Sequence, residues 1–480
     1  MISKSFIKSS VIYTLAGTLP MASALILLPF YIHHLSTEVY GALNIYLAFT
    51  LLVQIIVTFS FDTSVYIHFH EFKNDSKRLS LFISSAFIFM LLTGLVTAVI
   101  LIGIGDMIFK LVLPQNNISF YPYGLASVGA GVFQALLKVH SSLSQSREKP
   151  EIFFWSNVFS FTMIASFTLI GLEVYPNSLM GPIMGRFLAA LISGVWVLMR
   201  IFREFGFQFD FTWLRSSFSF NAYTLLYQIL QWVINYFDRI VMLLVVTLSD
   251  IGVYVFATNC LIALELLMNG LHSSFYPKVV SSVMTQPQKQ STPDINRFYH
   301  GLIAVIMLSV CLGILALPWV IETFVLKPTY QETIPYLPFL ATIYFFRTMR
   351  LFFTMPYGIL KYTKPLPIVY MIVAGLKIVL MLVLMPSLKI YGVIAASLVS
   401  SAFEIVLLRS SIKDMFQFRF NFFKIVGAPM ILFLLIIVLE PIIGFSQPYL
   451  IHFIYLFSCG GLLWWAYRNE IRLINPNLSQ

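Results

Sequence analysis

Apolar runs of about twenty residues recur along the whole chain, separated by short polar connections, and each is long enough to cross a hydrocarbon core of about 30 Å. The pattern predicts fourteen helical spans: 6–32, 40–61, 80–105, 118–140, 152–172, 178–200, 217–247, 252–273, 299–321, 334–360, 366–386, 391–408, 424–443 and 449–467. With 59% hydrophobic and 10% charged residues among 480, no single core could hide the excess, so lipid is the expected solvent for most of it. The fold class is an all-α polytopic membrane protein.

The first run follows Lys4 and Lys8, as a signal peptide would. It is too long for one, is interrupted by Pro20 and Pro29, and has no small-x-small cleavage site after it, so it reads as the first span. Basic residues then set the orientation. The two ends and every second connection hold twenty-two Lys and Arg, while the other connections hold only Lys110, Lys327 and Lys389. This positive-inside alternation puts both termini in the cytoplasm and requires an even number of spans. The formal charge of +10 is thus topogenic, and no nucleic-acid partner is called for. Cys260, Cys311 and Cys459 fall inside apolar spans at no metal-like spacing, which argues against a disulfide or metal framework.

Span 7 interrupts the apolar pattern. In "NAYTLLYQILQWVINYFDRI" the polar residues Asn221, Thr224, Gln228, Gln231, Asn235 and Asp238 step by three and four, which stacks them on one helix face. A second stripe runs through Tyr344, Arg347, Arg350, Thr354, Tyr357 and Lys361, and a third through Thr258, Glu265, Asn269 and His272. Five bases lie inside spans: Arg186, Arg239, Arg347, Arg350 and Lys377. Each costs at least about 2.5–3.5 kcal/mol at the bilayer centre if it faces lipid. Two explanations compete. The stripes line a hydrated cavity, or they are interhelical hydrogen bonds and salt bridges, such as Arg239 with Glu265 or Lys377 with Asp238. The deep acids are Asp238 and Glu265, with Asp62, Glu322 and Glu404 near span ends, so bases prevail. Two arginines one turn apart suit an anion, because guanidinium forks match phosphate oxygens bidentately. Tyr223, Tyr227, Trp232, Tyr344 and Tyr357 can stack on sugar faces or form lipid-facing belts.

No Gly-rich phosphate loop, HExxH or GxSxG is present, and the outer connections are too short for a catalytic domain, so the chain is not expected to be an enzyme. No cofactor is expected. Coupling to an H+ or Na+ gradient would fall to Asp238 or Glu265.

A repeat adds an architecture. "FIKSS" (Phe6–Ser10) matches "WLRSS" (Trp213–Ser217), and "LSTEVYGAL" (Leu35–Leu43) parallels "LSDIGVYVF" (Leu248–Phe256). Both copies start on the cytoplasmic side, which predicts two six-span lobes, 1–210 and 211–410, with a C-terminal pair of spans in 411–480.

"LSTEVYGALNIY", "YFDRIVMLLVVTLSDIGVYVFA" (Tyr236–Ala257) and "MPSLKIYGVIAAS" (Met385–Ser397) together resemble the Wzx-type polysaccharide-biosynthesis flippases of the multidrug/oligosaccharidyl-lipid/polysaccharide exporter superfamily. The chain departs from many members at Lys327-Pro328-Thr329-Tyr330, at Lys389 and in exceeding twelve spans. The resemblance implies a monomer of the bacterial cytoplasmic (inner) membrane that flips an undecaprenyl-diphosphate-linked oligosaccharide to the outer leaflet for surface polysaccharide such as O-antigen. It also implies membrane lipids as surroundings and a polysaccharide polymerase or chain-length protein as partners. Under it, Arg239, Arg347, Arg350, Lys377 and Arg186 would hold the substrate. Asn221, Thr224, Gln228, Gln231, Asn235, Tyr344 and Tyr357 would line its path. Two alternatives stand beside it: a cation-coupled drug antiporter, expected to favour deep acids, and a membrane glycan polymerase or ligase, expected to need larger outer loops.

Overall fold

The computed structural model describes residues 19, 23–72, 74–112, 118–147, 149–284, 289–360, 362–443 and 448–474. The N-terminal half of the first span, the "FIKSS" copy of the repeat and Lys361 lie outside them. The described residues are helical apart from short connections and one isolated bridge between Gln290 and Gln417. In chain order the helices are α1 (Ser23–His34), α2 (Thr37–Thr58), α3 (Phe61–Phe72), α4 (Ser76–Val112), α5 (Leu125–Ser146), α6 (Pro150–Val174), α7 (Met180–Phe205), α8 (Phe211–Tyr236), α9 (Asp238–Met242) and α10 (Leu248–Cys260). They continue with α11 (Ile262–Met284), α12 (Pro293–Phe324), α13 (Pro328–Gln331), α14 (Leu337–Ile359), α15 (Leu366–Leu388), α16 (Ile390–Ile412), α17 (Ala428–Ile443) and α18 (Pro448–Ile474).

Eight helical segments are long and apolar enough to cross a bilayer. They are α2, α4, α6, α7, α12, α15, α16 and residues 248–273 across α10 and α11. The polar-striped α8 and α14 are long enough but are not among these eight, because their stripes dilute the apolar content. Each of the eight overlaps one of the predicted spans. Leu95 is 61% exposed, Val99 60% and Val383 67%, an apolar exterior that only lipid satisfies.

Among the described residues, predicted spans 2, 7 and 8 are each divided into two helices. Span 2 ends as α2 at Thr58, because Phe59 and Ser60 adopt left-handed backbone (φ 45° and 57°), and the chain then continues as α3. Span 7 stops at Tyr236. There the Asp238 carboxylate accepts the backbone N–H of Arg239 (2.8 Å), a local bond that competes with helix continuation, and α9 begins. Span 8 is interrupted at Leu261, whose N–H reaches Thr258 O at 3.2 Å, a tightened turn rather than an α-helical step.

The chain forms two compact units, residues 1–255 and 256–480. In the first, α5 packs against α2, α3 and α7, and α6 lies along α7. Here the two copies of the outer repeat meet. The Thr37 and Ser249 hydroxyls are 2.6 Å apart, and a Cβ on Gly41 would overlap Leu248 O, as one on Gly252 would overlap Thr37 O. In the second unit α15 lies along α16, α14 packs on α16 and α12, and α18 packs on α12.

Two extended aromatic segments were not foreseen. Phe207-Gln208-Phe209-Asp210 is pinned to α4, with the Gln208 and Asp210 N–H groups on the Ser84 and Ser85 hydroxyls at 3.0 and 2.9 Å. Asp210 then caps α8 by accepting Thr212 N–H at 2.8 Å. The Thr212 hydroxyl and N–H together hold this carboxyl below its ordinary pKa. Phe416-Gln417-Phe418-Arg419-Phe420 pairs with residues 289–291, Gln417 N–H donating to Lys289 O and Ser291 N–H to Gln417 O, both at 3.0 Å. Asn421 accepts Lys424 N–H (3.3 Å) before α17. Each segment leads into a helix in the same way.

Candidate functional site

Each unit carries charged residues within its helical spans. In residues 256–480 the second polar stripe sits on α14 and meets carboxylates from two neighbours. Arg347 Nη1 donates to Glu265 Oε2 of α11 at 2.6 Å, and its guanidinium lies 5.1 Å from the Tyr344 ring centre. One turn on, Arg350 Nη1 is 3.9 Å from Glu404 Oε1 of α16, an ion pair too long for a hydrogen bond. The Glu404 side chain is 4% exposed and also takes a hydrogen bond from Tyr370 of α15, while its Oε1 has no hydrogen-bond partner. Lys377, on α15, is buried. Tyr344 is buried beside the half-buried Arg347, and Tyr357 is buried with its hydroxyl on Leu408 O at 2.6 Å.

Of the sequence-predicted residues, the structure therefore brings together Arg347, Arg350, Glu265 and Tyr344. Glu265 pairs with Arg347, where the sequence offered Arg239. Glu404, placed by sequence near a span end, proves to be a buried partner of a predicted anion ligand. Its signal was its position within an apolar run, which registered only as a distance from the end.

In residues 1–255 the α8 stripe is mostly half-buried, and most of its hydrogen bonds close on α8 itself. Thr224 returns to Phe220 O (3.0 Å), Gln231 donates to the Tyr227 hydroxyl (3.4 Å) and Asn235 donates to Gln231 O (2.7 Å). Bonds across helices run from Gln228 to Asp62 of α3 (3.5 Å), between Ser217 and His68 (2.9 Å) and from Trp232 to Ala48 O (2.8 Å). Asn221 is fully buried with neither amide atom partnered, and Gln228 Oε1 also lacks a partner. Asp238 accepts the Tyr254 hydroxyl at 2.9 Å. Arg239 lies 4.9 Å from the Tyr236 ring centre, and Arg186 donates to the Tyr31 hydroxyl at 3.1 Å. Trp232 is core, whereas Tyr223 is 68% exposed.

Lys138 is relocated. It is one of the twenty-two bases that the sequence assigns to the ends and alternate connections, but α5 runs on to Ser146 and Lys138 pairs with Asp62 at 3.0 Å. With Asp62 and Glu404 taken into the interior, the predicted excess of buried bases over acids narrows. Among the described residues no group of three or more His, Cys, Asp or Glu could hold a metal ion.

The comparisons with known proteins agree with this fold. A structure described as the lipid II flippase MurJ in an inward closed conformation superposes with a TM-score of 0.75 at 14% identity, covering 98% of this chain and all of that one. An inward-facing multidrug resistance MATE family transporter of the MOP superfamily superposes with a TM-score of 0.58 at 12% identity, covering 86% and 99%. Among sequences, the Lsg locus putative protein 1 of Haemophilus influenzae is 25% identical over 285 residues, which are 56% of this chain and 65% of that protein. The chain thus spans a little under two thirds of that relative's length. Residues 6–284, more than half of the chain, match the family of polysaccharide biosynthesis proteins. The chain is a multi-pass membrane protein with a MurJ- and MATE-like fold, and it belongs to the polysaccharide biosynthesis protein family.

Proposed function

We propose that the protein is a flippase that moves an undecaprenyl-diphosphate-linked oligosaccharide from the cytoplasmic to the outer leaflet of the bacterial inner membrane. The observation that carries this reading is the α14 stripe, where Arg347 and Arg350 are held inside an apolar helix bundle, one turn apart, in a chain of a polysaccharide biosynthesis family. A guanidinium at membrane depth must earn its desolvation through a partner of opposite charge. Two in succession form a fork pair matched to the oxygens of a diphosphate. Lys377 of the same unit adds a third base, and in residues 1–255 Arg239, Arg186 and the polar face of α8 from Asn221 to Asn235 carry charge, amides and a hydroxyl of the kinds a glycan head group binds. The polyprenyl tail stays in lipid, and the protein alternates between inward-open and outward-open states around the head group.

The test is the fate of the lipid-linked sugar when the gene is deleted. Radiolabelled lipid-linked oligosaccharide should accumulate in the inner leaflet while surface glycan is lost. Unchanged surface glycan in a host with no second flippase overturns the reading in favour of a cation-coupled antiporter, for which the half-buried Glu265 and the buried Glu404 would serve as carriers. In the complemented strain, Arg350→Ala should slow flipping about ten- to a hundredfold, the loss of one charge-assisted bond of about 1.5–3 kcal/mol. Arg350→Lys should recover part of the rate, because a point charge keeps the attraction and loses the fork.

A further inference from the structure

The two arginines of α14 are not equivalent. Arg347 is bound tightly, with Glu265 at 2.6 Å and the Tyr344 ring against its guanidinium. Arg350 faces Glu404 at 3.9 Å, a distance at which the charges attract but no hydrogen bond forms. Glu404 is the more deeply buried carboxylate, with a side-chain exposure of 4% against 26% for Glu265, and its Oε1 lacks any hydrogen-bond partner. A buried carboxylate oxygen left unbonded is costly, and at 3.9 Å the guanidinium gives it attraction but no hydrogen bond. The pair has the attraction of a salt bridge without its closure.

From this geometry we infer that Glu404 is a resident counter-ion that competes with a diphosphate for Arg350, and so sets when this site accepts its anion. The inference rests on the flippase reading and adds to it a residue that touches Arg350 rather than the substrate. An incoming diphosphate supplies oxygens at hydrogen-bonding distance and displaces the carboxylate. Glu404 is then left buried without its cation, and taking up a proton removes the uncompensated charge. Around Glu404, α14 contributes Arg350 with Arg347 beyond it, and α15 contributes the Tyr370 hydroxyl. Binding of the anion and protonation of Glu404 therefore favour one another, as linkage requires.

The experiment measures the affinity of the purified full-length protein for inorganic pyrophosphate by titration calorimetry between pH 6 and pH 8. Glu404→Gln, which keeps the shape and removes the charge, should bind about tenfold more tightly than wild type at pH 8, and this advantage should shrink as pH falls. Protonation of pyrophosphate itself affects both proteins alike and cancels in the ratio. Arg350→Ala should abolish the gain when added to Glu404→Gln, and Glu265→Gln should produce a smaller gain, because Arg347 is fixed by the tyrosine as well. Glu404→Asp, which keeps the charge and withdraws it by one methylene, gives an intermediate gain and serves if the glutamine variant does not fold. Equal affinities of wild type and both Glu404 variants across the pH range would overturn the inference, as would a larger gain from Glu265→Gln or no pyrophosphate binding by any variant. Those results leave the gene-deletion phenotype untouched, so the two readings fail separately.

Discussion

Asp62 holds the Lys138 ammonium at 3.0 Å on one carboxylate oxygen and the Gln228 amide at 3.5 Å on the other, joining α3, α5 and α8. Its side chain is 14% exposed and that of Lys138 37%, so the pair lies between the regimes of surface and buried ion pairs. Lys138→Met should destabilise the protein by about 1–3 kcal/mol, less than the 3–5 kcal/mol of a fully buried pair, because it strands a mostly buried carboxylate. Adding Asp62→Asn should restore most of that loss, since no uncompensated charge then remains. Thermal unfolding in detergent would show both effects, and equal unfolding temperatures for the single and double variants would refute the pairing. The spacing of Asn221, Gln228 and Asp238 was legible in the sequence because it is a property of one helix. The partners were not: Lys138 with Asp62 and Arg350 with Glu404 each join residues more than fifty positions apart, and a charge counted along the chain carries no record of what faces it.

Helix existence was legible for the same reason that helix breaks were not. Apolar runs fix that a segment must satisfy its backbone internally in lipid, so it is helical. The interruptions at Phe59–Ser60, Phe237 and Leu261 depend on one or two local torsions or hydrogen bonds, which barely alter hydropathy. The alternation in Phe416-Gln417-Phe418-Arg419-Phe420 was readable as extended chain, but it was absorbed into a connection because helical periodicity dominated its surroundings. Closeness between helices is a further feature that only the fold supplies. Gly252 faces the Thr37 carbonyl oxygen across the α2–α10 crossing with no room for a Cβ, whereas Gly103 and Gly301 have nothing within 4 Å of theirs. Gly252→Ala should force the helices apart and cost about 1–3 kcal/mol, the range for overpacking. Gly301→Ala should be neutral or stabilise by up to about 1 kcal/mol through helix propensity. The same unfolding assay checks the contrast, which disappears if both glycines only supply flexibility.

At the scale of the whole molecule, the repeat and the compact units divide the chain at different points. The repeat places its boundary at residue 210, yet α8, α9 and the first turns of α10 pack with the N-terminal helices in residues 1–255. The α2–α10 crossing therefore joins a residue of each predicted lobe, Thr37 and Ser249, at 2.6 Å between hydroxyl oxygens within a single compact unit. Glycines at Gly41 and Gly252 let the backbones touch there, and the side-chain hydroxyls close the contact. Such a contact gains its energy from close packing and one hydrogen bond, both of which are lost together when the helices part, so it favours two discrete arrangements over a continuum. If the repeats rock against one another during transport, this crossing must open in one of the two states. Thr37→Cys with Ser249→Cys places two thiols where the hydroxyls meet, and an oxidant should join them, with mass spectrometry identifying the cross-link. Flipping of the lipid-linked sugar should then fall at least about tenfold and recover on reduction, because the bond removes one conformation from the cycle. Undiminished flipping by the cross-linked protein would mean that α2 and the start of α10 travel as one body, and the moving boundary would then lie beyond residue 255, where the compact units divide.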